Sequence, residues 1–236
     1  ELVHATGYAH HPYSFTRAPN LPSTNPTWVT MADLPRLENA LNRIFATYGK
    51  AMPSGVPLYL TEYGYKSNPP NPYVTTTPAQ QAEYINEGEY LAWRDPYVSA
   101  LAQFELVDAG PAVSQPVGTP AYWGTFQTGL INAAGVPKPS YDAYRLPIWL
   151  PRARTGARVT VWGQLRPADH GGPEDGTIQF EAAGASAFTT LQPVQTANPQ
   201  GFILAHVPLT TSGSLRLAWQ DPTSGQVYYS RVVAIR

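Results

Sequence analysis

The order of apolar segments in the first hundred or so residues constrains this fold more than any other feature. Short apolar runs alternate with stretches of helical period. Residues 2–9 form a short apolar stretch that ends in Tyr8-Ala9-His10-His11-Pro12-Tyr13, and a Pro/Ser/Asn-rich loop covers 14–26. Between 31 and 48, Leu34, Leu37, Leu41, Ile44 and Phe45 recur at three- and four-residue spacing, which marks one face of a helix. Thr30 is placed to cap its start and Gly49 to end it. Residues 56–60 are short, apolar and bounded by Pro/Gly-rich segments, as a buried strand is. Thr77-Pro78 reads as an N-cap followed by proline at the first helical position, opening a second helix to about Arg94. A third strand is predicted over 97–107, and Asp108-Ala109-Gly110 begins a long loop.

Strand, helix, strand, helix, strand is the pattern of a parallel α/β sheet. All three strands are apolar, which predicts burial on both faces. Polar and aromatic residues gather where the strands end. They are His10, His11 and Tyr13, then Glu62, Tyr63 and Tyr65, then Gln103, Glu105 and Asp108. Parallel sheets and barrels place their sites at that end.

After Pro151 no helical pattern remains. Short runs such as Arg158-Val159-Thr160-Val161-Trp162, Gly201-Phe202-Ile203-Leu204-Ala205 and Leu215-Arg216-Leu217-Ala218-Trp219 are separated by Gly, Pro, Asp and Ser. That spacing predicts a small antiparallel β-sandwich over 151–236, after an α/β domain over 1–150. Trp162, Trp219, Tyr228 and Tyr229 are candidates for a glycan-binding face, but the alternation assigns most of them to core packing. The domain reads as structural or accessory.

Composition narrows the function classes. The net formal charge of -1 offers no basic face for nucleic acid. No apolar run reaches the length of a membrane-spanning helix. There is no cysteine, so disulfides and thiolate metal sites are excluded. Proline, at 25 of 236 residues, is about twice its usual share, and tyrosine is plentiful. Sparse charge with many prolines and aromatics suits an extracellular protein that handles sugars. His10 and His11 are neighbours and point to opposite faces of a strand, and His4 would sit deep in it. No metal and no cofactor are expected.

The residue that draws chemistry is Glu62, at the end of Pro57-Leu58-Tyr59-Leu60-Thr61-Glu62-Tyr63-Gly64. A carboxylate ending an apolar strand is held rigidly and faces a pocket. Tyrosines surround it, and a tyrosine hydroxyl can hold such a carboxylate in place. From the residues alone, an ordinary strand-to-loop glutamate has equal standing. Glu105 and Asp108 could form a second carboxylate pair, with a structural role, such as pairing with an arginine or capping a turn, the stronger reading for both.

The segment 57–64 resembles the seventh strand of the large (β/α)8-barrel superfamily of retaining glycoside hydrolases, the cellulase-like, β-mannanase-like and β-xylosidase-like enzymes. His10-His11-Pro12-Tyr13 resembles the end of strand six and Ala102-Gln103-Phe104-Glu105-Leu106-Val107-Asp108 resembles strand eight. Phe126-Gln127-Thr128-Gly129-Leu130, with Gly135-Val136-Pro137-Lys138-Pro139-Ser140-Tyr141-Asp142-Ala143-Tyr144, is similar to the closing segment of many bacterial members.

The resemblance implies the C-terminal part of a TIM barrel, about strands six to eight, with Glu62 as catalytic nucleophile and a β-linked polysaccharide or oligosaccharide as substrate. His11, Tyr13, Tyr63 and Trp123 are then expected to bind substrate, with Phe104 or Trp123 in place of the tryptophan that often ends strand eight. The superfamily's acid/base glutamate ends strand four, usually after Asn. The one Asn-Glu dipeptide here, Asn86-Glu87, lies in a predicted helix as a solvated surface pair. So the acid/base and strands one to five are expected in a missing N-terminal part of the barrel, and this piece alone is expected to be inactive. A secreted or cell-surface, bacterial-like enzyme is implied. Two other readings stay open, a non-catalytic carbohydrate-binding protein on a barrel scaffold and a non-glycosidic α/β enzyme using His11 and Asp108.

Overall fold

The computed structural model of the protein describes residues 4–49, 52–169 and 171–236. The chain divides into two compact units, the first running to Lys138 and the second spanning Pro139–Arg236. The division falls before the change of texture at 151. Leu146, Ile148 and Leu150 are the reason, because they belong to the apolar core of the second unit.

The first unit is a three-stranded parallel sheet in the order β1-β2-β3, formed by β1 (Tyr8–His10), β2 (Leu58–Tyr63) and β3 (Val98–Gln103). Of the longer apolar stretch expected at the start, Leu2 and Val3 lie outside the described residues. Helix α1 (Leu34–Tyr48) connects β1 to β2 and helix α2 (Pro78–Arg94) connects β2 to β3. Leu34, Glu38, Leu41 and Phe45 form the buried stripe of α1, and the Gly49 N–H closes the helix on the Phe45 carbonyl at 3.0 Å. Thr30 caps a 3-10 turn (Met31–Asp33) that precedes α1, rather than α1 itself. Thr77 caps α2 as expected. Its side chain accepts from the Gln80 N–H at 3.2 Å, and Gln80 Oε1 accepts from the Thr77 N–H at 2.9 Å.

Glu38 is the one charged member of the α1 stripe. Burial, then a hydrogen bond to Asp95 and the charge of Asp95, pushes its carboxyl up to about 8. Asn86 and Glu87 are in α2 but are buried, not solvated. The middle of α2 is buried around most of its circumference, so the surface expected for that pair does not exist.

The register explains how the sheet presents its residues. Tyr8, Leu58 and Val98 lie side by side, as do His10, Leu60 and Leu101, with Leu58 and Leu60 fully buried. The intervening row of Ala9, Tyr59 and Ala100 is exposed. The sheet is therefore covered on one face, not on both as its apolar strands predict.

The β2–β3 register shifts twice, first between Leu58 and Tyr59, where Ser99 is the extra residue in β3, and again past Leu60. Leu60 is opposite Leu101 and Tyr63 is opposite Gln103, so three steps along β2 match two along β3. One extra residue in β2 makes a bulge, which re-aims side chains. Tyr63 consequently returns to the covered side and is buried to 1% exposure beneath α2. Its hydroxyl donates to the Tyr84 carbonyl at 3.2 Å, and its ring fills the space that a side chain on Gly88 would need.

The long loop after β3 folds back on that strand's extension. Asp108 N–H donates to the Ile131 carbonyl at 2.8 Å and Ala109 N–H to the Phe126 carbonyl at 2.7 Å. A buried ion pair fixes the loop. Lys138 Nζ lies 2.7 Å from Asp108 Oδ1, which also accepts from the Gly129 N–H at 2.8 Å. Gln81 of α2 donates to the Tyr65 carbonyl at 2.7 Å and the Gly129 carbonyl at 3.3 Å, tying helix, strand end and loop together.

The second unit begins with a short helix α3 (Pro139–Arg145) and then is all β. One antiparallel sheet has the order β4-β5-β8, from β4 (Ile148–Trp149), β5 (Gly156–Gln164) and β8 (Phe202–Leu209). The other runs β10-β9-β6-β7, from β6 (Glu174–Ala182), β7 (Thr189–Thr196), β9 (Gly213–Gln220) and β10 (Val227–Tyr229), with β11 (Val233–Ile235) also on β9. Ile203, Ala205, Val207 and Leu209 alternate inward along β8 and share one core with Ile178, Leu215, Leu217 and Val233 of the other sheet. Two antiparallel sheets over one core make a sandwich. Trp219 belongs to that core, and Trp162, which follows the core residue Val161, is fully buried outside it with its ring 6.0 Å from Phe202. The Tyr229 ring is covered by the Arg216 guanidinium, 3.8 Å from its centroid, and the Tyr228 ring by Arg145 at 4.3 Å. The aromatics of this unit pack and pair with arginine rather than present an open glycan-binding face.

Two substitutions test this packing. A Cβ on Gly88 would lie 2.3 Å from the Tyr63 hydroxyl, so we expect Gly88→Val to destabilise the chain by about 1–3 kcal/mol in urea denaturation. We expect Lys138→Met to cost about 3–5 kcal/mol at neutral pH, because it leaves Asp108 buried without its partner. Burial already pushes the Asp108 carboxyl up, with Lys138 and the Gly129 N–H opposing. A raised carboxyl favours the folded state below its pKa and loses that advantage as pH rises through it. The deficit of the variant should therefore shrink in acid, and denaturation at two pH values would show it.

Candidate active site

Three strand ends meet here. Glu62 lies at the C-terminal end of the central strand, His11 and Tyr13 follow β1, and Phe104 and Glu105 follow β3. The bulge leaves both Thr61 and Glu62 off the covered face, and Glu62 is partly exposed. Tyr13 donates its hydroxyl to Glu62 Oε2 at 2.9 Å. His11 Nδ1 is 3.4 Å from the same oxygen. The tyrosine that holds the carboxylate is thus Tyr13, 49 residues away in sequence, and not Tyr63 or Tyr65 beside it.

Of the residues expected to bind substrate, His11 and Tyr13 come together with Glu62. Tyr63 does not, because the bulge turns it under α2. Trp123 lies in the loop after β3, edge-to-face with Tyr122 at 5.4 Å, and its carbonyl accepts from Asn71 at 3.3 Å. Neither contact brings it to Glu62. His10 is turned away from the site, with Nε2 2.8 Å from the Val29 carbonyl. Among the described residues, no group of three or more acidic or histidine side chains is placed to hold a metal ion.

Residues that sequence reasoning passed over complete the wall. Phe126 lies 6.5 Å from Tyr13 and 5.0 Å from Phe104, the latter edge-to-face. Lys66 Nζ is 5.6 Å from the Phe126 centroid and donates to the Gly124 carbonyl at 3.4 Å. Burial pushes the Lys66 ammonium down from its ordinary value. Phe126 opens the segment Phe126-Gln127-Thr128-Gly129-Leu130, and that position was its only signal in the sequence. Asp108 takes a structural part, pairing with Lys138 and accepting from the Gly129 N–H.

The electrostatics bind these groups together. Burial first, then the hydrogen bond to Glu62 and the charges of Glu62 and Glu105, raises the Tyr13 phenol above its ordinary value. Glu105 is also raised, by burial first and then by Asp108 and Glu62, against a hydrogen bond from the Ala109 N–H. Glu105 is accordingly the acid at this end that keeps its proton more readily than an ordinary glutamate. The cluster offers a carboxylate oriented by a phenol and an imidazole, beside an aromatic wall with a lysine at its edge.

We expect Glu62→Gln to lower the pKa of Tyr13, because a carboxylate acceptor and its charge both disappear. The value should stay above that of exposed tyrosines, since burial remains. An NMR titration of labelled tyrosine reads both effects, and an unchanged Tyr13 titration would deny the contact.

No family model matches the chain, and no curated protein matches it. Solved structures similar to it include Bacteroides uniformis β-glucuronidase, at 16% identity and a TM-score of 0.36, over 86% of this chain and 24% of that one. Bacteroides uniformis β-glucuronidase 2 covalently bound to cyclophellitol-6-carboxylate aziridine has 16% identity and a TM-score of 0.35, over the same shares. A putative superoxide reductase from Thermotoga maritima has 11% identity and a TM-score of 0.31, over 39% of this chain and 85% of that one. The chain thus spans about a quarter of the length of the glucuronidases. Likeness at this level assigns neither a fold nor an activity.

Proposed function

We propose that the chain is the C-terminal part of a retaining (β/α)8-barrel glycoside hydrolase, secreted or at the cell surface, acting on a β-linked polysaccharide or oligosaccharide. The observation that carries this reading is Glu62 at the end of the central parallel strand, oriented by the Tyr13 hydroxyl at 2.9 Å. Both the Tyr13 and the His11 contacts fall on Oε2, so Oε1 is the oxygen left to attack.

In the first step Oε1 forms an ester bond to the anomeric carbon as the glycosidic bond breaks, and the leaving oxygen takes a proton from an acid. In the second, water attacks that carbon, gives up a proton to the same group, and releases Glu62. The Tyr13 hydrogen bond fixes the carboxylate for the first step and stabilises it as leaving group in the second. No cofactor enters either step.

The sheet itself supports a missing partner. No further strand pairs with β1 or β3 among the described residues, and one face stays uncovered. An all-parallel sheet is ordinarily covered on both faces, and open strand edges are a liability. The N-terminal part of the barrel would cover this face, close the edges and supply the acid/base, about 5–5.5 Å from Glu62 in the retaining geometry.

The test uses the enzyme with its N-terminal part. We expect Glu62→Gln to lower kcat by at least about three orders of magnitude. Glu62→Ala with azide and an activated aryl β-glycoside should give the α-glycosyl azide, since azide enters from the face the carboxylate vacates. Glu62→Gln with normal turnover would overturn the assignment. A complete chain that binds glycan but never hydrolyses it would instead make the protein a non-catalytic carbohydrate binder on a barrel scaffold.

A further inference from the structure

Two of the larger exposed aromatic side chains of the first unit touch each other. Phe15 is 58% exposed and Trp28 is 49% exposed, and their ring centroids are 5.1 Å apart at 41°. Exposed aromatic area costs free energy in water, and a contiguous patch usually marks a contact surface. Neither ring is needed for the core of the unit, to which neither belongs.

The pair is held out by its backbone. Phe15 has φ of 57°, the one described non-glycine residue with positive φ. That conformation is unfavourable for a bulky side chain and persists where the surroundings impose it. The surroundings are on both sides of the loop. Tyr65 donates its hydroxyl to the Arg17 carbonyl at 2.9 Å, just after Phe15. The Arg36 guanidinium clamps the carbonyls of Pro26 and Trp28. Asp33 accepts from the backbone N–H groups of Ser23 and Thr30.

The same loop is tied to the site at each end. Phe15 follows Tyr13, the residue that holds Glu62, by two positions, so their Cα atoms are within about 7 Å. Trp28 precedes Val29, whose carbonyl holds His10 beside His11. The exposed pair thus adjoins Tyr13 along the chain through Phe15, and through the Val29 carbonyl it adjoins His10, the neighbour of His11. An aromatic face attracts the C–H groups of a pyranose ring through its quadrupole, and a rigid pair loses little entropy when a ring settles on it.

We propose that Phe15 and Trp28 form a sugar-stacking platform, a subsite for a pyranose ring of a β-linked oligosaccharide whose other end reaches Glu62. The choice of a glycan as occupant rests on the glycosidase reading. The existence of a platform rests on the exposed, clamped pair.

The test is a titration of the enzyme with its N-terminal part, carrying Glu62→Gln to prevent turnover, with β-linked gluco-, manno- and xylo-oligosaccharides, read by calorimetry and by the Trp28 indole resonance. We expect one series to bind with a shift of that resonance. Phe15→Ala and Trp28→Ala should each weaken binding about tenfold, the usual loss when one stacking ring is removed. Trp28→Phe should restore most of it, which separates stacking from a merely structural part in the loop. Tyr48→Ala, at an exposed residue near the end of α1, should change nothing. Equal affinity in the alanine variants, or no binding by any of the three series, overturns the platform. So does an alanine variant that alters self-association in sedimentation and leaves glycan binding intact. Failure of the glycosidase reading is read elsewhere, in the turnover of Glu62→Gln, so the two outcomes separate.

Discussion

A single extra residue in β2 decides what this end of the sheet can do. Leu58 and Leu60 alternate onto the covered face, and strict alternation would send Glu62 there as well. A carboxylate under the helices would lose its hydration and its charge. Tyr63 would meanwhile point to the open end. The bulge opposite β3 reverses both outcomes. Tyr63 packs beneath α2 at Gly88, and Glu62 stays partly solvated within reach of Tyr13 and His11. The packing of Tyr63 and the position of Glu62 are thus one feature. A change that frees Tyr63 from α2 also moves the carboxylate.

The loops around Glu62 are held by polar contacts as much as by apolar ones. Asp108 and Lys138 form a buried pair below the loop that carries Phe126, with Ser67 and the Gln127 carbonyl each 3.3 Å from Lys138 Nζ. Gln81 and Asn71 bridge the same loops from other elements. Burial pushes Asp108 up and Lys138 down, against the pairing that opposes both shifts. Such a pair adds little net stability, but removal of one partner leaves a bare charge. It therefore fixes one loop arrangement and penalises others. The aromatic wall of Phe104, Phe126 and Tyr13 inherits that rigidity.

Much of this was legible in the sequence, and the failures have a common physical cause. The spacing of Leu34, Leu41 and Phe45, the Thr77-Pro78 cap and the alternation in the second unit are local signals, and the structure keeps them. Strand ends gather polar residues, and at those ends the structure brings Glu62, His11 and Tyr13 together. Tyr63 was misplaced because a bulge depends on the partner strand and leaves no mark in one strand's own pattern. Asn86 and Glu87 looked solvated because polarity was taken for exposure, whereas α2 is buried around most of its circumference. Phe126 and Lys66 reach the site through long-range contacts that no local spacing encodes. The boundary moved to Lys138 because three apolar residues after it pack in the second core.

The exposed row of Ala9, Tyr59 and Ala100 bears on what surrounds Glu62. Its residues are mostly small, while the covered rows carry leucine and valine. A face meant for water would carry charged or strongly polar side chains, as antiparallel sheets with one wet face do. Small, uncharged residues suit a surface against which other strands or a substrate closely approach. Apart from Tyr59, the aromatics on this side gather past the C-terminal end, where Phe126 packs against Tyr13 and Phe104 beside the carboxylate that Tyr13 holds. Aromatics gathered at the strand ends are what the proposed barrel would need for a pocket there. At those strand ends Glu62 has an orienting partner in Tyr13, and Glu105 is close enough for the charge of Glu62 to help raise it. On the glycosidase reading, its chemistry then calls for a second carboxyl group on whatever covers that face.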